Sequence, residues 1–251
     1  MFKHAIIGCL LSTIISSVQG HGYVQEITAD GAKYTGWLPY NDPYTTPIPE
    51  RIVRKFPDNG PVQDLSVIDI QCNGWAAQGS VTTPAPLVAK ITAGSQLTLN
   101  WTFWPEDHKG PMLTYMARAP SDITKWLPGS SAVWFKIDES GKDSNGVWAA
   151  SDKLDANNGI YKVTIPKNLK PGQYIIRHEV IALHFAAQYP GVQIYPSCIQ
   201  VDVVGSGNAF PTSFVSFPGA YTPTTPGMVY DIYSNTGPYP IPGPAVWTGG
   251  N

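Results

Sequence analysis

Residues 96–103 read QLTLNWTF, and their strict alternation constrains the fold more than any other stretch of the chain. Leu97, Leu99, Trp101 and Phe103 share one parity, while Gln96, Thr98, Asn100 and Thr102 share the other, as in a half-buried strand. The same parity recurs in AVWFKID, with Val133, Phe135 and Ile137 facing inward, and in IYKVTIP, with Tyr161, Val163 and Ile165. KPGQYIIRHEVIAL and CIQVDVV continue the series. Between these runs lie Gly and Pro, 24 of each, and no long run with helical spacing competes with them. The pattern predicts an all-β fold, an immunoglobulin or fibronectin III-like β-sandwich. The Pro-rich and Tyr-rich stretches 36–64 and 205–251 lack a strong strand pattern and are expected to be long loops that lie over the surface or wrap the sandwich.

The amino terminus is of another kind. Met1, Phe2, Lys3 and His4 form a short basic start, and the apolar run AIIGCLLSTII that follows is too brief to span a bilayer. This is the layout of a secretory signal peptide over residues 1–20, with the small Gly20 and the tolerated Val18 at the two positions that cleavage reads. The processed chain would then begin at His21 and be secreted. An amino-terminal histidine carries a free amine, of ordinary pKa roughly 8, beside its two ring nitrogens, and so can chelate a metal by itself. If cleavage falls a residue or two away, His21 is an ordinary surface histidine, and the leader does not decide between these readings.

Loss of the leader leaves about 230 residues, enough for one domain over 21–251 with a real core. Charged residues make up only 14% and the net charge is −2, so nucleic acid finds nothing to grip. No second apolar run of membrane length follows the leader, so no membrane partner is expected. Of three cysteines, Cys9 lies in the leader. Cys72 and Cys198 remain as an even pair in an oxidising compartment and are expected to form one disulfide, whose long loop would add about 4 to 5 kcal/mol in the chain-entropy model. Asn100, Trp101 and Thr102 form an N-x-T sequon, with Asn100 on the polar parity, where a glycan has room.

No carboxylate pair stands out for hydrolysis, so the histidines are the better lead. His108, in FWPEDHKGPMLTYMA, follows a strand that ends at a Trp-Pro turn, where a sandwich presents functional loops. The alternative is a solvated loop histidine. His178 and His184 lie six residues apart in RHEVIALH, on one face if the strand is uninterrupted; either could equally be a buried histidine satisfied within the core. In VQIYPSCIQVDV, Gln193 and Tyr195 share the parity of Ile199, Val201 and Val203 and should look inward, with Cys198 facing the other way, unless Pro196 breaks the pairing.

Four motifs in order carry a resemblance: a leader ending before HG, a WPxxHxGP loop, a RHExIALH strand and a QxYPxC strand. Together they resemble the fungal lytic polysaccharide monooxygenases of auxiliary activity family nine, and the likeness runs from His21 to the closing PIPGPAVWTG. The resemblance implies one copper ion per chain, held by the amine and a ring nitrogen of His21 and by His108, with the Tyr195 hydroxyl at the axial position. His184 and Gln193 would hydrogen-bond oxygen species beside it, and Cys72–Cys198 would be the family's shared disulfide. It also implies a flat face that lies on cellulose or a related β-glucan, an external electron donor, O2 or H2O2 as oxidant, and oxidation at C1 or C4 by a monomeric enzyme.

Nitrogen donors favour copper among the first-row divalent ions, and copper cycles between one-electron states where zinc does not. For stacking on sugar rings, Tyr221 in PGAYTPTTPG is the better candidate and Tyr44 in NDPYTTP the poorer. The chain departs from many relatives in having no cysteine in ARAPSDITKW for a second local disulfide and in Lys109 beside His108, and no appended cellulose-binding module is expected. Two rival readings remain: a non-catalytic copper- or polysaccharide-binding sandwich, and a glycoside hydrolase.

Overall fold

The computed structural model describes residues 20–79 and 81–250; the expected leader, apart from Gly20, lies outside the described residues. The strands, in chain order, are β1 (Val24–Ala29), β2 (Ala32–Thr35), β3 (Ala89–Thr92), β4 (Gln96–Trp101), β5 (Met112–Arg118), β6 (Trp134–Ser140), β7 (Ile160–Thr164), β8 (Gly172–Ala182) and β9 (Gln193–Val204). They form a four-stranded sheet, β2-β1-β4-β7, and a five-stranded sheet, β3-β9-β8-β5-β6. Pairing is antiparallel except for β3 on β9. The only α-helix among the described residues is one short segment, Asp152–Ala156. The expected all-β, immunoglobulin-like sandwich is therefore the fold.

Alternation explains the inner layer. Ile27, Leu97, Leu99, Trp101 and Val163 from the smaller sheet pack with Met116, Phe135, Tyr174, Ile176, Ile199, Val201 and Val203 from the larger one. The turn between β1 and β2 is Asp30–Gly31, both at positive φ, which matches the twist of a tight hairpin. β4 ends at Trp101, so Phe103, expected to face inward, is 62% exposed; the chain has already left the sheet for the Trp104–Pro105 turn.

Alternation is a poorer guide to the five-stranded sheet, because that sheet is buried on both sides. Leu113, Tyr115, Trp134, Ile175, Ile194 and Cys198 face a second core, closed by Ile70, Phe217, Tyr221, Tyr230 and Tyr239 from the long loops. Trp134 and even Lys136 are thus buried alongside Phe135 and Ile137, while Val133 lies just before β6 and is half-buried. Lys136 keeps its charge partnered, its Nζ donating to Glu139 at 2.7 Å and to the Pro242 carbonyl at 2.7 Å.

Cys72 and Cys198 are bonded, which ties the 65–79 segment to the outer face of β9. β9 passes through Pro196 without a break. Ile194 and Cys198, of the same parity, make backbone bonds to Val62 and Arg54 of the neighbouring loop, so the proline nitrogen faces the gap between those bridges, where no donor is needed.

Candidate metal centre

Three separate stretches meet at one end of the sandwich. His21 precedes β1, His108 lies in the loop leaving β4, and Tyr195 sits on the inward face of β9. The ring of His21 lies 5.4 Å from that of His108 and 5.4 Å from that of Tyr195, centroid to centroid. Trp104 packs edge-on against His108 and Tyr195, its ring 5.8 Å from that of His108 and 5.0 Å from that of Tyr195.

The His108 loop is fixed by its own backbone. Trp104 Nε1 donates to the His108 carbonyl at 3.0 Å, and the amides of Ile181 and Leu183 donate to Pro111 at 3.1 Å and Lys109 at 2.9 Å. Only glycine fits at 110, since a Cβ there would collide with the Ile181 carbonyl. This clamp lays the loop against the end of β8. The strand stops at Ala182, so His184 does not continue the face of His178; it turns instead to stack on His108, ring centroids 3.8 Å apart.

The two unshared nitrogens here are informative. His108 is buried and its Nδ1 is 2.8 Å from the Asp107 carboxylate, which fixes the tautomer and leaves Nε2 without a partner. His184 is buried too, with Nδ1 unpartnered. A buried polar atom left unmatched costs about 1–3 kcal/mol, and here two such nitrogens belong to stacked imidazoles beside the ring of His21.

Burial works against charge on two of the rings. Burial, then the neighbouring His108, lowers the pKa of His21, with Asp58 pulling weakly the other way. Burial and the two adjacent imidazoles bring His184 down to about 4. Burial raises the Tyr195 phenol, whose hydroxyl donates to Gln193 Oε1 at 2.6 Å. The expected inward placement of Gln193 and Tyr195 is found, both buried.

These residues fit a copper ion. Two imidazoles, one with a buried unpartnered nitrogen, and the amine that processing before His21 would expose form a nitrogen-rich donor set. No cluster of three His, Cys, Asp or Glu side chains able to hold a metal exists among the described residues. The site described here holds only two such ligands, and the amine and phenol lie outside that count.

The two stacking candidates separate. Tyr44 is 82% exposed. Tyr221 is 1% exposed, which removes it as a stacking platform: its hydroxyl donates to Glu179 at 2.6 Å and sits 2.9 Å from the Tyr115 hydroxyl. Glu179 in turn pairs with the buried Arg177 at 2.6 Å. That ion pair is fully buried and draws Tyr221 in as a donor.

Two exposed aromatics escaped the sequence reading. Phe185, 65% exposed, lies 4.4 Å from His184 by ring centroid. Tyr233, 75% exposed, follows Tyr230, whose amide donates to the Ala186 carbonyl at 2.7 Å and so docks that loop beside His184. The signal for Phe185 was its place directly after the RHExIALH motif.

The model of Auxiliary Activity family 9 (formerly GH61) matches residues 21–239. An AA9 family lytic polysaccharide monooxygenase B from Gloeophyllum trabeum is 57% identical over 250 residues, covering 98% of this chain and 96% of that protein. One from Malbranchea cinnamomea is 55% identical over 249 residues, covering 99% and 98%. The fold is also similar to the extended catalytic domain of H. jecorina LPMO9A, with a TM-score of 0.83 and 35% identity over 92% of this chain and 94% of that one.

Proposed function

The chain belongs to auxiliary activity family 9 and is a copper-dependent polysaccharide monooxygenase; from that premise we propose that it is secreted, processed to begin at His21, and oxidises cellulose or a related β-1,4-glucan at C1, C4 or both. The observation that carries the site assignment is the buried, unpartnered Nε2 of His108 beside the ring of His21.

In this reading residues 1–20 are the signal peptide and 21–251 the catalytic domain. The His21 amine and ring and His108 Nε2 hold the copper, with the Tyr195 hydroxyl beside it. Bound there, copper supplies one-electron chemistry that directs O2 or H2O2 at a sugar C–H bond, with an external reductant as electron source.

The remaining work falls to the chain. Asp107 fixes the His108 tautomer, as a partner on the far nitrogen does for metal-bound histidines generally. His184, kept neutral, and Gln193, gripped by Tyr195, offer a hydrogen-bonding edge where an oxidant would sit. Trp104 excludes water from behind. Phe185 and Tyr233, exposed beside His184, and the exposed Tyr44 would offer rings for stacking on sugar. The Asn100 side chain, half-buried on the outer face of β4, is available for a glycan.

Mass spectrometry of soluble products from cellulose, ascorbate and oxygen tests the reading. Oxidised oligosaccharides abolished by EDTA are expected. Unoxidised reducing ends that persist in EDTA would indicate a hydrolase, and copper binding without products a non-catalytic sandwich.

A further inference from the structure

Chain ends fray unless something ties them down, yet the ligand assignment asks the first residue of the processed chain to hold a metal. Just beyond His21 the chain is pinned firmly. The Tyr23 amide donates to Thr102 Oγ1 at 3.0 Å, and the Thr102 amide donates to the Tyr23 carbonyl at 2.9 Å. Gly22 lies so close to the exit of β4 that a Cβ would come within 2.7 Å of the Phe103 carbonyl oxygen.

His21 itself has a different anchor. Its carbonyl oxygen accepts from Asn59 Nδ2 at 2.7 Å, and no other hydrogen bond reaches its backbone among the described residues. Asn59 is aligned in its turn: the Tyr40 hydroxyl donates to Asn59 Oδ1 at 2.6 Å and accepts from the Asn59 amide at 3.3 Å. With Oδ1 occupied by Tyr40, the amino end of the carboxamide is the end left to face His21. The grip is on the carbonyl, so hydrolysis of the Gly20–His21 bond leaves it untouched.

We propose that Asn59, aligned by Tyr40, is a positioning residue that seats His21 after processing and so pre-organises its amine and ring opposite His108. This rests on the assignment of His21 and His108 as the copper ligands. A first residue already seated spares the bound state part of the ordering entropy that a frayed end would lose on binding. Asn59 touches neither metal nor substrate in this account; it acts only through the carbonyl of His21.

The test uses the mature chain beginning at His21, as wild type, Asn59→Ala and Tyr40→Phe. Copper(II) affinity is read by calorimetric titration, the copper environment by electron paramagnetic resonance, and stability as the Tm of the apo form. Asn59→Ala is expected to weaken copper binding by up to about fivefold, the worth of one net hydrogen bond, and to shift the resonance parameters, with a small fall in the apo Tm for the bonds lost in the metal-free chain. Tyr40→Phe should move the same readouts in the same direction by less. Unaltered affinity and resonance in both variants, with or without a lowered Tm, overturns the proposal. If the wild type itself binds no copper, the ligand assignment falls and takes the proposal with it.

Discussion

His178 and His184 stand six residues apart in one motif, and the fold gives them opposite surroundings. His178 lies between the sheets with both nitrogens matched: Nε2 accepts from Trp101 Nε1 at 3.3 Å, so Nδ1 donates to Thr114 Oγ1 at 2.8 Å. Tyr161 covers it, ring centroids 5.1 Å apart. His184 lies past the strand end, stacked on His108, with Nδ1 unmatched. Burial alone does not distinguish a working histidine from a packing one. What differs between these two is the partner: both His178 nitrogens are matched, while Nδ1 of His184 is not.

Exchanging the damage breaks or sharpens this contrast most strongly. His108→Ala removes a direct ligand and should weaken copper binding by more than the roughly 10- to 100-fold cost of losing an outer partner, with little change in apo stability. His178→Ala should do the reverse. It leaves a cavity and strands the Trp101 donor and the Thr114 acceptor, costing about 3 kcal/mol in denaturant unfolding while copper affinity in the folded fraction stays the same. If both variants lose stability and metal together, the contrast is wrong.

The pH dependence of stability tests the packing histidine without touching the metal. Burial, then the Arg177 charge, depresses His178 to about 3, against 6.5 for the ordinary group. Between those values the unfolded chain binds the proton and the folded one does not. The contribution of His178 is therefore complete above pH 6.5 and is lost as pH falls toward 3, by on the order of 1 kcal/mol per pH unit. Replacing His178 with Gln should flatten that part of the wild-type slope in urea unfolding between pH 6.5 and 4. An identical slope would show that His178 is charged in the native state.

His184→Ala tests the other side. Turnover on cellulose should fall about 10- to 100-fold with copper still bound, and metal loss instead would mean His184 is itself a ligand. The smallest effects belong to the tyrosines. Tyr221→Phe deprives Glu179 of a buried donor and should cost about 1–2 kcal/mol of stability without altering cellulose binding. Tyr44→Ala should leave Tm alone and weaken cellulose binding roughly fivefold, as expected for about 1 kcal/mol of stacking.

What could be read beforehand follows from the same physics. The inner faces of β4, β7 and β9 were legible because each of those strands has one side in the inter-sheet core, so Leu97, Leu99, Val163, Ile199 and Val201 alternate cleanly. His21, His108, Gln193 and Tyr195 were singled out by the family resemblance, and the fold brings them together at one end of the sandwich. Trp134 and Lys136 were not, since their burial depends on residues 205–251 folding back over a face that alternation assigns to water. Tyr221 was misread for that reason too: nothing local in PGAYTPTTPG signals the distant Arg177–Glu179 pair. Asn59 was invisible because its role is a contact across 38 residues.

Copper(II) affinity of the chain beginning at His21, compared with the same chain carrying one extra residue before it, tests the central claim most directly. A free amine on His21 predicts tight binding in the first and a loss of well over about 100-fold in the second, beyond what an outer-partner change produces. Equal affinities would contradict the account, because the metal would then be held without the processed terminus.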